Sequence, residues 1–224
     1  MLLEAKQIGF RYERDRPVLR GVDISIQSGE IVGLVGPSGF GKSTLSRILA
    51  GYEQPHEGQV LLDGAPLPAS GFHPVQLVFQ HPEKAVNPRW RMSRTLAEAG
   101  ALDASLLERL GVQKEWLERF PNELSGGELQ RFCVARALGR GTRFLLADEM
   151  TAMLDAITQA QIWQVVLEVA RKEDMGVLVI SHEKHLIHRL CTRVVDLTIT
   201  HEKTYTRMKA CDREGCDSGF LNAK

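Results

Sequence analysis

Charge of one sign, long apolar runs and paired cysteines are all missing from this chain of 224 residues. Its 28 Lys and Arg balance 28 Asp and Glu, so the formal net charge is zero. A neutral chain has no global field to draw in nucleic acid or anionic lipid, and any such contact would have to be local. The longest apolar runs are Ile31-Val32-Gly33-Leu34-Val35 and Gly176 to Ile180. Both fall far short of the roughly 18–20 residues that span a bilayer. The first residues, Met1-Leu2-Leu3-Glu4-Ala5-Lys6, lack the cationic start and long apolar core of a secretion signal. Four cysteines, Cys133, Cys191, Cys211 and Cys216, are too few and too scattered for a disulfide framework. No internal repeat or low-complexity tract is present. What is there, 43% apolar and 25% charged residues, is ordinary globular composition. The expectation is a soluble, intracellular chain forming one large domain over residues 1–224.

Apolar periodicity predicts an α/β fold. Leu3, Ala5, Ile8 and Phe10, then Val22, Ile24 and Ile26, alternate as half-buried strands do. Ser28-Gly29-Glu30 is a turn signal, and Ile31 to Val35 then runs apolar, as a strand buried on both faces does. Leu45, Ile48 and Leu49 recur at helical spacing. Gln59 to Leu62, closed by Asp63-Gly64, reads as one arm of a hairpin, and Gln76 to Phe79 as another short strand. From about Pro82 to Leu124 (residues 82–124) apolar residues thin out, Pro82 and Pro88 break the chain, and weak helical segments follow at Ser93 to Ala99, Ala104 to Leu110 and Lys114 to Phe120. This is the pattern of a small helical insertion. Regular alternation resumes with a helix from Gly126 to Leu138, a buried strand Phe144 to Ala147, and a helix carrying the stripe Ile162, Val165, Val166, Val169 and Ala170. A strand at Val177 to Ile180, a short helix and a last strand near Val194 to Ile199 complete it. Strands alternating with helices imply right-handed crossovers and a mainly parallel sheet. The tail from Lys203, residues 203–224, has no periodicity and is expected to be loose.

Gly36-Pro37-Ser38-Gly39-Phe40-Gly41-Lys42-Ser43-Thr44 matches G-x-x-x-x-G-K-[ST], between a buried strand and an amphipathic helix. Glycines let the backbone wrap so that successive N–H groups point at phosphates, and the following helix adds its positive end. Lys42 would reach the β- and γ-phosphates, and the Ser43 hydroxyl would ligate Mg²⁺. A second strand, Phe144 to Ala147, ends in Asp148-Glu149, at the carboxyl edge where open α/β sheets bind ligands. Asp148 would hold Mg²⁺, and Glu149 could orient and deprotonate an attacking water. Two acids after a strand could also simply begin a helix, but the phosphate loop makes the nucleotide reading the stronger one. Leu124-Ser125-Gly126-Gly127-Glu128 contains a capping box, Ser125-x-x-Glu128. A cap does not need two consecutive glycines, which cost helix stability. Exposed N–H groups at such a start suit an anion, so cap and anion site are one feature.

With these motifs in this order, the chain resembles the ATP-binding-cassette ATPases from Leu3 to about Ile199. The resemblance implies a P-loop core with N-terminal antiparallel strands and an inserted helical subdomain, with ATP as substrate and Mg²⁺ as cofactor. It also implies roles. Ser125, Gly126, Gly127 and Glu128 form the signature segment, which covers the γ-phosphate held by a second cassette. Tyr12 stands where the family stacks an aromatic ring on adenine. Gln80 matches the glutamine that senses Mg²⁺ and the membrane subunit, Leu154-Asp155 the loop facing the opposing subunit, and His182 the histidine touching the γ-phosphate. Two departures are Met150, where a proline is usual, and Met153. Losing proline frees φ and restores a donor, but the acids are intact.

Phe79-Gln80-His81-Pro82 with Ala85-Val86-Asn87-Pro88-Arg89, and Gln130-Arg131-Phe132-Cys133-Val134-Ala135-Arg136-Ala137-Leu138, are similar to the peptide and nickel importer branch. That branch usually pairs two non-identical ATPases, of which this chain looks like the shorter. The implied partners are integral-membrane permease subunits and a second cassette, identical or a paralogue. The implied location is cytoplasmic, on the inner face of the membrane. Arg89, Arg91 and Arg94 form a basic cluster, either a solvated face or a contact with a permease loop. His185 and His188 have no matching acid or cysteine, and Cys211-x₄-Cys216 reads as solvated tail, since structural metal sites need about four ligands. Two other readings stay open: a non-transport nucleic-acid machine, which the zero net charge disfavours so that no nucleic acid is expected, and a regulatory cassette with weak activity.

Overall fold

The computed structural model describes residues 1–13, 16–100 and 103–200; the expectations for the tail, Cys211 and Cys216 included, lie outside them. Two sheets organise these residues. Strands β1 (Leu2–Glu13), β2 (Arg16–Gln27), β4 (Glu57–Leu62) and β5 (Ala65–Pro66) form an antiparallel sheet in the order β2-β1-β4-β5. The predicted hairpin is β4 with β5, which pair Leu62 with Ala65 across Asp63-Gly64.

The second sheet holds β3 (Ile31–Val35), β6 (Val75–Val78), β7 (Phe144–Asp148), β8 (Gly176–Ile180) and β9 (Arg193–Asp196), in the order β6-β7-β8-β3-β9. All four pairings are parallel, as the alternation of strands and helices predicts. Successive side chains of a strand point to opposite faces. Leu145, Ala147, Val177 and Val179 therefore pack on one side with Phe132 of helix α4 (Gly126–Ala137) and with Ile162 and Val166 of α5 (Ala156–Lys172). Phe144, Leu146, Leu178 and Ile180 pack on the other side with Leu45 and Ile48 of α1 (Lys42–Leu49) and with Leu3, Ile8 and Ile24 of the antiparallel sheet. With both faces covered, β7 and β8 are buried at every residue, which is why they read as continuous apolar runs. Each fully buried side chain of the size of Phe132 or Phe144 contributes about 1.5–3 kcal/mol.

Helices between Pro82 and Leu124 are short: α2 (Met92–Ala97), α3 (Ala104–Arg109) and 3₁₀ turns at Pro82–Lys84, Lys114–Glu118 and Pro121–Glu123. The helix expected from Lys114 to Phe120 is only the middle one of those turns. Pro121 disfavours helical geometry in the residue before it, and both Arg119 and Phe120 are extended. The strand expected from Val194 to Ile199 also stops early, at Asp196. The Asp196 carboxylate accepts from the Thr198 N–H at 2.9 Å and from its hydroxyl at 2.7 Å, and Leu197–Thr200 form α7. An aspartate that caps competes with the strand ladder. Helix α6 (Lys184–Leu190) joins β8 to β9.

Candidate functional site

Strand register assembles the site. Asp148 at the end of β7 pairs with Ile180 at the end of β8, and Leu34 of β3 pairs with that same Ile180. The chain leaving each of the three strands therefore emerges at one carboxyl edge, the ligand edge of open α/β sheets.

From β3 the chain enters Gly36 to Gly41 and then α1. Gly41 is left-handed, with φ 89°, and a Cβ there would lie 2.6 Å from Leu19 Cδ2. Only glycine fits. Lys42, 6% exposed, donates from Nζ to the carbonyls of Gly36 at 2.8 Å and Pro37 at 3.0 Å. Its ammonium is thus folded into the mouth of its own loop. Ser43 donates to Asp148 Oδ1 at 3.1 Å, tying the phosphate loop to the acid on β7. Burial, the largest influence, pushes the Asp148 carboxyl above its ordinary range; the Ser43 hydrogen bond opposes this and the neighbouring Glu149 charge adds to it. A buried carboxylate beside a hydroxyl is a pair of hard oxygen donors, which suits Mg²⁺.

Past Asp148, the Glu149 N–H bonds to Ile180 O at 3.0 Å, and Glu149 has φ 49°. Positive φ in a non-glycine residue is uncommon and clusters at functional sites. It presents Glu149 Oε1 at 3.0 Å from His182 Nε2, so the two residues expected to carry chemistry are in contact. Met150 is 3% exposed and Met153 73% exposed.

Tyr12 lies on β1, 57% exposed, with its ring edge-on to Phe10 and its hydroxyl 3.3 Å from Thr44 Oγ1. Beside it opens a cavity of about 510 Å³ lined by Tyr12, Glu13, Arg16, Pro17, Val18, Gly39 and Phe40, within the size range of small-molecule sites. Gln80 is half-buried, two residues beyond β6 rather than at its end.

Ser125 begins α4 as the predicted capping box. Its hydroxyl accepts from the Glu128 N–H at 3.3 Å, and Glu128 Oε2 accepts from the Ser125 N–H at 2.8 Å. Among the described residues these bonds stay within the cap and do not reach the phosphate loop. A Cβ on Gly127 would stand 3.2 Å from Leu154, so the signature segment borders the loop before α5, whose N-cap is Asp155. Further along α4, three side chains grip the chain that follows β6. Gln130 Nε2 donates to Phe79 O at 3.2 Å, Cys133 Sγ to Pro82 O at 3.8 Å, and Arg136 Nη2 to Ala85 O at 2.7 Å. Of the basic cluster, Arg94 stacks 4.0 Å above Trp90 and Arg91 5.1 Å above Phe120. Sequence reasoning missed Thr151, Gln159 and Glu183, which bond to one another beside Glu149. No local sequence pattern marks them, because they come from a turn, a helix and a loop.

Comparison with known proteins places this geometry. Residues 19–152, more than half of the chain, match the ABC transporter family. The nickel import ATP-binding protein NikE of Rhodospirillum rubrum is 38% identical over 203 residues, covering 81% of this chain and 73% of that protein. NikE of Pseudomonas putida is 36% identical over 221 residues, covering 87% and 81%. The methionine import ATP-binding protein MetN of Caulobacter vibrioides is 36% identical over 197 residues, covering 81% of this chain and 59% of that one. Among solved structures, a dimeric bacterial ABC transporter cassette superposes with TM-score 0.74 at 24% identity, over 87% of this chain and 93% of that one. This last likeness concerns the fold. On the family match and the relatives together, the chain belongs to the ABC transporter family, as one of its ATP-binding ATPases.

Proposed function

We propose that this chain is the ATP-hydrolysing subunit of a membrane importer, of the nickel class that its NikE relatives indicate or of the similar peptide class that its sequence resembles. It forms a single cassette with a helical insertion over residues 82–124. It works as a head-to-tail pair with a second cassette, docked to permease subunits on the cytoplasmic face of the membrane. No helix among the described residues is long and apolar enough to cross a membrane. The observation that carries the reading is the meeting of Ser43 with Asp148 and of Glu149 with His182 at one sheet edge.

Each residue then has a task. The N–H groups from Gly36 to Thr44 and the Lys42 ammonium hold the triphosphate, and the Tyr12 ring stacks on the base. Mg²⁺, held by Ser43, Asp148 and Gln80, would neutralise charge on the phosphate oxygens. Glu149 takes the proton of the attacking water, and His182 orients the Glu149 carboxylate and the γ-phosphate. Ser125 to Glu128 lie at a helix start where the Gly126 and Gly127 N–H groups stand outside the capping-box bonds, and they cap the γ-phosphate bound to the partner.

Isolation of the tagged full chain from native membranes tests this. The expected result is a complex containing integral-membrane subunits that hydrolyses ATP. Ser125→Arg should leave nucleotide binding by the single chain intact and abolish hydrolysis by the complex. Purification without membrane subunits, or normal turnover by Ser125→Arg, would overturn the reading.

A further inference from the structure

Three segments of the chain close into a ring beside Glu149. Thr151, two residues on, is 2% exposed, and its hydroxyl oxygen accepts from Trp163 Nε1 and Gln159 Nε2, both at 3.1 Å. The same Gln159 nitrogen donates to Glu183 Oε1 at 3.2 Å; a carboxamide has two N–H protons, so both bonds form together. Glu183 is covalently next to His182, which meets Glu149 at 3.0 Å. The path Glu149, Thr151, Gln159, Glu183, His182 thus returns to its start.

Such a ring has work to do here. Glu149 sits at φ 49°, a conformation that persists only where the surroundings over-determine it. A pyrrolidine ring at position 150 would stiffen the turn covalently, but Met150 leaves the backbone free. From the closed circuit we infer that Gln159 is a positioning residue for hydrolysis. Its carboxamide locks the turn after β7 to the loop after β8 and so fixes the spacing of Glu149 and His182. The inference rests on the proposed roles of those two residues. Gln159 lies on α5, outside the phosphate loop, so its effect belongs to the chemical step rather than to binding.

The test is steady-state ATP hydrolysis, with Mg²⁺, by the complex isolated from native membranes with the variant chain in it, alongside binding of a fluorescent ATP analogue to the chain. Gln159→Glu keeps the shape but sets a carboxylate against Glu183. It should lower kcat roughly ten- to hundredfold, since small misplacements of reacting groups have effects of that order. KM and analogue affinity should stay within about twofold, because ground-state binding is untouched. Adding Glu183→Gln restores an amide–carboxylate pair with reversed polarity, and the Thr151 hydroxyl can donate as well as accept. This double variant should recover most of kcat, which a merely structural role would not allow. Glu183→Ala cuts the ring at an exposed residue with no risk to folding, and should lower kcat by about threefold, the scale of one hydrogen bond. Normal kcat in Gln159→Glu or in Glu183→Ala would overturn the inference, as would failure of the double variant to recover. Glu149→Gln in the same assay separates the two layers. If it turns over ATP normally, the proposed role of Glu149 fails; if it is inactive while Gln159→Glu is normal, only the positioning role fails.

Discussion

Two turns feed the site, one leaving β3 and one leaving β7, and they solve the same backbone problem differently. Both require positive φ at the carboxyl edge of the sheet. The first takes it with Gly39 and Gly41, at φ 79° and 89°, where backbone N–H groups are the proposed phosphate ligands and a Cβ at Gly41 would run into Leu19. The second takes it with Glu149 at φ 49°, where the side chain is the proposed general base and glycine would remove it. A left-handed L-residue costs about 1–2 kcal/mol. The first turn avoids that cost; the second accepts it and is held by Thr151, Trp163 and Gln159. Of these two turns, the strained one is the one that has a side chain to aim.

That contrast can be broken from either side. The largest effect is expected from Glu149→Ala, which should lower kcat by roughly 10²–10⁴-fold through loss of the general base, with ATP binding retained in a filter or fluorescence assay. Retained turnover would mean that another group activates the water. Next comes Gly41→Val in the first turn. Left-handed strain alone predicts about a five- to thirtyfold loss of ATP affinity, with the clash against Leu19 adding to it. Calorimetric titration giving wild-type affinity would show that the loop does not need this backbone.

Thr151→Val removes the oxygen that the 4%-exposed Trp163 donates to. Leaving that N–H unpaired should destabilise the fold by about 1–3 kcal/mol in urea unfolding. The smallest effect is the most diagnostic. Ala is ordinarily the more stabilising residue, because glycine costs unfolded-state entropy. At position 149 the order should reverse, with Glu149→Gly more stable than Glu149→Ala by about 0.5–1 kcal/mol once left-handed strain is set against that entropy. A higher melting temperature for the alanine variant would mean that the turn is not strained.

The two turns also differ in how far they could be read beforehand. The first is contiguous: glycines, Lys42 and Ser43 stand in one stretch between a buried strand and an amphipathic helix, so local chemistry specifies it. Asp148 and Glu149 were legible for the same reason. The ring behind the second turn was not, because Thr151, Gln159 and Glu183 come from a turn, a helix and a loop that only the β7–β8 register brings together. Errors in the fold have equally local causes. Val194 to Ile199 alternates like a strand, yet one capping aspartate, Asp196, starts a helix inside it. Lys114 to Phe120 looks helical until Pro121 extends the residues before it.

The grip of α4 on the segment after β6 has a consequence for tolerance to substitution. Gln130, Cys133 and Arg136 are spaced by three residues, and so are the carbonyls they hold at Phe79, Pro82 and Ala85. Every residue type supplies a carbonyl, whereas only particular side chains reach one. The segment from 79 to 85 can therefore change its side chains and keep these bonds, while positions 130, 133 and 136 cannot. A saturation library should display that asymmetry as a stretch permissive at every position but the proposed Mg²⁺ ligand Gln80, facing a restrictive helix, with Arg136 the least replaceable because it also pairs with Glu98 at 2.9 Å. A loop proposed to face the permease is thereby left free to diverge while its attachment to α4 is kept.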